Sequence, residues 1–279
     1  MKKKIKLLIF IVAYNAEKTI KSVVNRIPKV LFKDFNLEII IIDDMSSDAT
    51  LEVSKKIKKY YKKNFKLNIF SNPINQGYGG NQKIGYYYAI KKKFDYVVLL
   101  HGDGQYAPEE LPKLFKGLKN RKIDVVIGSR MMNKRHALKG GMPLYKLIGN
   151  IILTKIQNFL LNTKLAEFHS GYRIYSVKSL KQIPFILNTQ DFHFDTEILI
   201  QLSLIKAKII EISVPTFYGD EICHVNGLKY AFNIILTTLT ATFQKTLSLR
   251  LTKKYQTSHI NSPSFHYIDR LLVQAKNKI

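Results

Sequence analysis

Apolar and polar positions along the first 130 residues alternate between two periods. Ile5–Ala13 is an unbroken apolar run, and Glu38–Ile42, Leu67–Phe70, Tyr96–Leu100 and Ile123–Ile127 are four more. Each is short, and together they read as strands buried on both faces. Between them the spacing turns helical. Ile20, Val23, Val24 and Ile27 mark one face of a helix over Glu17–Ile27 that Pro28 stops, and Ser47 or Asp48 caps a lysine-rich helix reaching about Lys63. The glycine-rich Gly77-Tyr78-Gly79-Gly80 leads into a helix ending near Lys92, and Pro108 suits the first position of another. This alternation predicts an α/β fold with a mostly parallel central sheet covered by helices on both faces.

From Gly140 the texture changes. Leu144, Ile148, Ile151, Ile152, Phe159 and Leu160 form an apolar stripe, with Lys146, Asn150 and Lys155 off it. A second amphipathic stretch runs from Tyr230 to Leu249 through Ile234, Ile235, Leu239 and Phe243. Such stretches either pack on the sheet or lie against a bilayer. Beyond Arg250 the chain turns polar and aperiodic, which predicts a tail over 250–279 with one short helix near Ile268–Gln274.

The chain has 279 residues, enough for one large domain or a domain plus an appendage. Lys+Arg 45 against Asp+Glu 20 leaves a net charge of +25, a field that favours anionic partners. Cys223 is the only cysteine, which excludes an internal disulfide framework and a four-cysteine metal site and points to a reducing, cytoplasmic setting. Met1-Lys2-Lys3-Lys4 before an apolar run looks like a signal peptide, but Tyr14-Asn15-Ala16-Glu17 supplies no cleavage pattern, so the run reads as a strand. No apolar stretch is long enough to span a membrane. The charge alone motivates a nucleic-acid reading. The lysines are spread over many predicted helices rather than clustered with aromatics, so no nucleic-acid partner is expected.

The polar residues collect at the predicted strand ends, where open α/β sheets bind ligands. Tyr14-Asn15 follows the first strand, Asp43 to Asp48 the second, His101-Gly102-Asp103-Gly104-Gln105 the fourth and Gly128-Ser129-Arg130 the fifth. Asp43 or Asp44 can accept hydrogen bonds from a ribose or base edge beside Tyr14. Asp103 offers a hard oxygen ligand to Mg²⁺ or Mn²⁺, and the glycines flanking it let a diphosphate approach the backbone. His169, His193 and His224 lack the spacing of a structural zinc site.

Ile11-Val12-Ala13-Tyr14-Asn15, Asp43-Asp44-x-Ser46-x-Asp48-x-Thr50, Asp103-Gly104-Gln105 and Gly128-Ser129-Arg130 together resemble family 2 nucleotide-sugar glycosyltransferases. Ser170-Gly171-Tyr172-Arg173-x-Tyr175 narrows the resemblance to the dolichyl-phosphate mannose synthase and polyprenyl-phosphate glycosyltransferase branch, over roughly residues 5 to 230. The resemblance implies a GT-A fold over 1–249, with a nucleotide-sugar half to about 130 and an acceptor half from about 131. It implies an inverting transfer from a UDP- or GDP-sugar to a polyprenyl phosphate, by an enzyme peripheral at the cytoplasmic membrane face. Ala13, Tyr14, Asn15, Asp43, Asp44, Ser46, Gly79, Asn81, His101 and Gly102 are the candidate nucleotide-sugar contacts. Asp103 and Gln105 match family metal ligands, for Mn²⁺ or Mg²⁺. His101 stands where the family has an acid, and it either ligates the metal, donates to the diphosphate, or packs at the strand end. Val12 and Ala16 replace the family's proline and glutamate, and neighbouring Glu17 is no assured substitute. For the acceptor phosphate the candidate cations are Arg130, Arg135, Lys139, Arg173 and Lys229. A hydroxyl acceptor instead requires a base, for which Glu167, Asp195 and Glu197 are the available carboxylates.

Overall fold

A computed structural model describes residues 4–62, 65–118, 122–215, 217–218, 226–246 and 264–277. The apolar runs are strands of one sheet: β1 Lys6–Ala13, β2 Asn36–Asp43, β3 Lys66–Ser71, β4 Tyr96–His101, β5 Val125–Ser129, β6 Arg173–Ser176 and β7 Ile209–Ser213. Their order is β3-β2-β1-β4-β6-β5-β7. Along β1, Leu7, Ile9 and Ile11 face one buried cluster while Leu8, Phe10 and Val12 face the other. Both faces are covered, which is why these strands read as continuous apolar runs rather than alternating ones.

The helices are α1 Ile20–Asn25, α2 Val30–Asp34, α3 Thr50–Tyr61, α4 Gly77–Lys91, α5 Leu111–Lys116, α6 Lys134–Lys139, α7 Leu144–Leu161, α8 Val177–Leu180, α9 Phe194–Leu204, α10 Gly227–Thr246 and α11 Ser264–Asn277. Helices α1, α3 and α5 pack on one face, and α4, α8, α9, α10 and α11 on the other.

Several elements depart from the sequence pattern. Helix α1 starts at Ile20 rather than Glu17, because Glu17 clamps two loops: its N–H donates to Asp48 (3.1 Å) and its carboxylate accepts from the Ala49 N–H (2.9 Å). Pro108 opens a 3₁₀ turn over Pro108–Glu110 before α5. The tail helix is longer than expected, and Ile268, Leu271, Leu272 and Ala275 bury against the core beside α4 and β3. Strands β6 and β7 have no counterpart in the five expected runs, and β6 is antiparallel to both its neighbours. This orientation brings the start of β6, with Ser170 to Arg173, to the end of the sheet where β1, β2, β4 and β5 finish.

Of the two readings open for the α7 stripe, packing on the sheet does not hold. Leu144, Ile148, Ile152 and Phe159 are solvent-exposed, and the buried face is Leu147, Asn150, Leu153, Thr154, Gln157 and Leu161. Helix α10 packs beside α7 and likewise exposes Leu228, Phe232, Leu236 and Phe243 while burying Ile234, Thr238 and Ala241. Residues 247–249 of the second predicted stretch lie outside the described residues.

The glycine-rich segment is itself the first turn of α4. Its glycines, with Gly85, let the helix lie directly against β1 and α9: a Cβ on Gly79 meets Phe194 Cβ at 2.7 Å, and one on Gly85 meets the Phe10 ring at 2.2 Å. Gly85→Ala should therefore lower stability by about 1–3 kcal/mol despite alanine's higher helix propensity. Urea unfolding of the two proteins checks this.

Candidate active site

The carboxyl ends of β1, β2 and β4 open into one cavity of about 1600 Å³. Its lining includes Ala13, Tyr14, Asp44, Asn81, His101, Gly102, Asp103, Gln105 and Asp195, together with Arg130, Lys146, Tyr218 and Tyr230. Of the two strand-end aspartates only Asp44 borders the cavity. It accepts from Asn72 Nδ2 (2.7 Å) and the Gln76 N–H (2.8 Å), and burial raises its pKa. Asp43 turns back to Ser46 and Ser71 and ties the loop to β3.

Four expected nucleotide-sugar contacts are engaged within the protein and do not line the cavity. Asp43 and Ser46 are engaged with each other, Asn15 accepts from the Ser47 N–H (2.9 Å), and Gly79 packs against Phe194. Asn81 does line it, with Nδ2 donating to the Ile42 carbonyl (3.0 Å) and, among the described residues, Oδ1 left without a partner. Glu17 points to α3 and supplies no donor-side carboxylate.

At the end of β4, Asp103 Oδ1 accepts from the Gln105 N–H (2.9 Å), while Oδ2 faces His101 Nδ1 at 4.0 Å. His101 Nε2 lies 3.1 Å from Tyr78 OH, and that phenol donates to Asp195 Oδ2 at 2.7 Å. Burial lowers the His101 pKa, so the ring is neutral near pH 7, and burial likewise holds the Tyr78 phenol protonated. Among the described residues no group of three or more His, Cys, Asp or Glu forms a metal cage. His101, Asp103 and Gln105 all line the cavity, with His101 Nδ1 and Asp103 Oδ2 on the same side of it, donors of the kind a divalent cation supplements with water and phosphate oxygens. The residues present fit such an ion.

The candidate acceptor cations are dispersed. Arg173 is fully buried, and its donors go to the Ser170, Phe168 and Asp195 carbonyls and Tyr175 OH, so it cannot reach a phosphate. Arg135, Lys139 and Lys229 are exposed and do not border the cavity. Arg130 does, but it is locked to Glu167 through Nε (2.8 Å) and Nη2, with Nη1 on Tyr218 OH (2.8 Å). Sequence reading passed over Lys146, which borders the cavity with its ammonium 5.3 Å from the Tyr218 ring. Its only sequence signal was its place off the α7 stripe. Tyr106 and Tyr218 were likewise unmarked by any motif, and Tyr78 stood out only as part of a glycine-rich segment.

The carboxylates proposed as a base are also placed. Glu167 is bound by Arg130 and by Asn150 Nδ2 (2.9 Å), and Glu197 accepts from the Thr189 N–H (2.7 Å); neither borders the cavity. Asp195 borders it, already accepting from Tyr78 and Gln82. His169 pairs with Tyr230 OH (3.0 Å), and burial drops its pKa to about 3, so it stays neutral; His193 lies 3.8 Å from Glu197. Cys223 and His224 lie outside the described residues.

Residues 8–184 match the family model described as glycosyl transferase family 2. The UDP-N-acetylglucosamine–dolichyl-phosphate N-acetylglucosaminyltransferase of Methanococcus voltae is 31% identical over 76% of this chain and 86% of its own length. The undecaprenyl-phosphate mannosyltransferase of Micrococcus luteus is 23% identical over 66% of this chain and 73% of its own. Among solved structures, glucosyl-3-phosphoglycerate synthase from Mycobacterium tuberculosis, in complex with Mn²⁺, UDP and phosphoglyceric acid, superposes with a TM-score of 0.60 at 18% identity, covering 84% of this chain and 78% of that one. At that identity the likeness establishes the fold, and the ligands are that enzyme's own.

The Arg130–Glu167 pair generates a test. Burial raises the Glu167 pKa, but Arg130 outweighs it and holds the carboxyl below its ordinary value of 4.5. A depressed carboxyl contributes stability above its unfolded value and loses it as pH falls through the folded one. Glu167→Gln should cost about 3–5 kcal/mol at pH 7, because Arg130 is left buried and unpaired. The gap between wild type and variant should narrow as pH drops below 4.5. Urea midpoints at both pH values check it.

Proposed function

The chain belongs to glycosyl transferase family 2, and from that premise we propose that it transfers a sugar from a nucleoside diphosphate sugar to a polyprenyl phosphate at a membrane surface. The observation that carries this reading is the mixed character of the cavity lining. It combines the carboxylates Asp44, Asp103 and Asp195 and the cations Arg130 and Lys146 with an apolar wall of Ile152, Leu153, Ile156, Leu228 and Ile235. That apolar wall adjoins the apolar stripes that α7 and α10 turn outward, Phe159 being 85% and Leu228 88% exposed. Contiguous exposed apolar surface of this kind marks an interaction site, and a strongly basic chain favours an anionic membrane. Among the described residues no helix is long and apolar enough to cross a membrane, so the two stripes suit the interface. The two lipid-phosphate relatives support the same acceptor class.

In this reading Asp44 receives the ribose or base beside Tyr14. His101, Asp103 and Gln105 would hold a divalent cation, which would supply positive charge against the departing diphosphate. Lys146 orients the acceptor phosphate, since Arg130 is already balanced by Glu167. A phosphate oxygen bonds to the anomeric carbon while the bond from that carbon to the diphosphate breaks, its electron pair leaving with the nucleoside diphosphate. Attack from the opposite face inverts the configuration. The attacking oxygen is already anionic and needs no base, which agrees with Glu167 and Glu197 being tied up elsewhere.

Incubation with UDP- and GDP-sugars and polyprenyl phosphate in Mn²⁺ should move labelled sugar into the lipid phase for one donor class. Transfer to a soluble saccharide but not to lipid would overturn the acceptor assignment. Lys146→Ala should lower kcat/KM for the lipid about 10- to 100-fold, the loss of one charge-assisted contact, while nucleotide binding holds. A separate test concerns the outward stripes: Ile148→Ser with Phe232→Ser should reduce co-sedimentation with anionic vesicles and leave the unfolding midpoint unchanged.

A further inference from the structure

Three segments distant in sequence meet at one imidazole. Tyr78 comes from the first turn of α4, His101 from the end of β4 and Asp195 from the first turn of α9. The Tyr78 hydroxyl has a single proton. That proton goes to Asp195 Oδ2 at 2.7 Å, so toward His101 Nε2, 3.1 Å away, the phenol oxygen acts as acceptor. Nε2 then carries the hydrogen. In a neutral ring this leaves the lone pair on Nδ1, the atom that faces Asp103 Oδ2 at 4.0 Å.

The surroundings fix this arrangement. Asp195 is seated by Arg173, whose Nη1 donates to its carbonyl and lies 3.9 Å from its carboxylate. Tyr106 stands edge-on to the imidazole, with ring centroids 5.0 Å apart at 85°, and its hydroxyl accepts from the Gly171 N–H (2.8 Å). Gly171 passes so close that a Cβ there would lie 2.7 Å from His101 Nε2 and 2.9 Å from Tyr78 OH. A glycine at this position is what leaves room for the hydrogen bond between those two side chains.

We propose that Asp195 and Tyr78 are positioning residues that lock His101 as its Nε2–H tautomer, so that Nδ1 joins Asp103 as a ligand and the cation site prefers Mn²⁺ to Mg²⁺. Ligand bonds of about 2.0–2.2 Å allow two donors up to about 4.4 Å apart to share one ion. An imidazole ligand disfavours Mg²⁺, which seeks an all-oxygen shell, relative to a transition metal. The inference rests on the donor-site reading above and adds to it the device that fixes the His101 tautomer, the ring nitrogen that ligates and the metal preference that follows.

Long-range ¹H–¹⁵N spectra of metal-free protein labelled with ¹⁵N-histidine read the tautomer without any turnover. His101, assigned from the spectrum of His101→Asn, should show a protonated Nε2 and a bare Nδ1, and Tyr78→Phe should convert it to a mixture. An Nδ1–H ring in the wild type would overturn the proposal. Calorimetric titration with Mn²⁺ and Mg²⁺ in the presence of UDP, and separately GDP, supplies the second readout. Tyr78→Phe should weaken Mn²⁺ about 10- to 100-fold, the usual effect of removing an outer-shell partner, and His101→Asp should lower the Mn²⁺/Mg²⁺ preference at least tenfold. An unchanged preference in His101→Asp would overturn the ligand assignment. If neither nucleotide binds with either ion, the donor-site reading fails instead, and the tautomer spectra still judge the lock on their own.

Discussion

A guanidinium with no access to water sits where β6 meets α9, and the site is assembled around it. Burial opposes the charge on Arg173, yet Tyr175 and Asp195 beside it hold its proton more tightly than usual. A buried cation persists only when its donors are satisfied. Those of Arg173 draw in carbonyls from Phe168, Ser170 and Asp195 together with the Tyr175 hydroxyl. That requirement fixes the loop before β6 against the first turn of α9. Asp195 is thereby aimed at Tyr78, and Gly171 is pressed against His101. An arginine that never touches a ligand thus determines the shape of the corner where a cation fits.

The same loop carries a second buried pair with a different consequence. Glu167 and Arg130 cancel one another's charge, and Asn150, Tyr218 and the His169 carbonyl take up further hydrogen-bonding capacity. Glu211 anchors the loop from β7 by accepting from the Ala166 (2.6 Å) and Glu167 (3.0 Å) N–H groups. The cavity therefore takes its positive potential from Lys146 rather than from either motif arginine. A net charge of +25 says little about a site whose two nearest arginines are already engaged.

Helices α7 and α10 run against the usual arrangement of apolar inside and polar outside. Their buried faces include Asn150, Thr154, Gln157 and Thr238, and among the described residues neither Gln157 amide atom has a partner. Their outward faces are leucine, isoleucine and phenylalanine. Burying polar groups while exposing apolar ones is costly in water and is reasonable where the outer face has another apolar phase to meet. Ile152 and Leu228 belong both to these outward stripes and to the cavity lining, so the exposed apolar surface runs into the site.

The strands, their burial on both faces and the clustering of polar residues at their ends were legible in the sequence, because each depends on short-range periodicity and local stereochemistry. So were Asp44, Asp103 and the glycine–tyrosine–arginine stretch as marked positions. The role of each waited on the fold. Nothing in the spacing separates Asp43, which faces its own loop, from Asp44, which faces the cavity. Arg173 looks like a phosphate ligand until β6 runs antiparallel and buries it. Lys146 and Tyr106 carry no motif, and Tyr78 stood out only as part of a glycine-rich segment, since all three act through partners far away in the chain. The direction of the α7 stripe was equally out of reach, because amphipathic spacing says which residues share a face and not what that face meets. Sequence determined the elements and the chemistry on offer. Tertiary structure decided which groups satisfy one another in the interior and which remain free to bind, because a buried charge takes its partners from wherever the chain brings them.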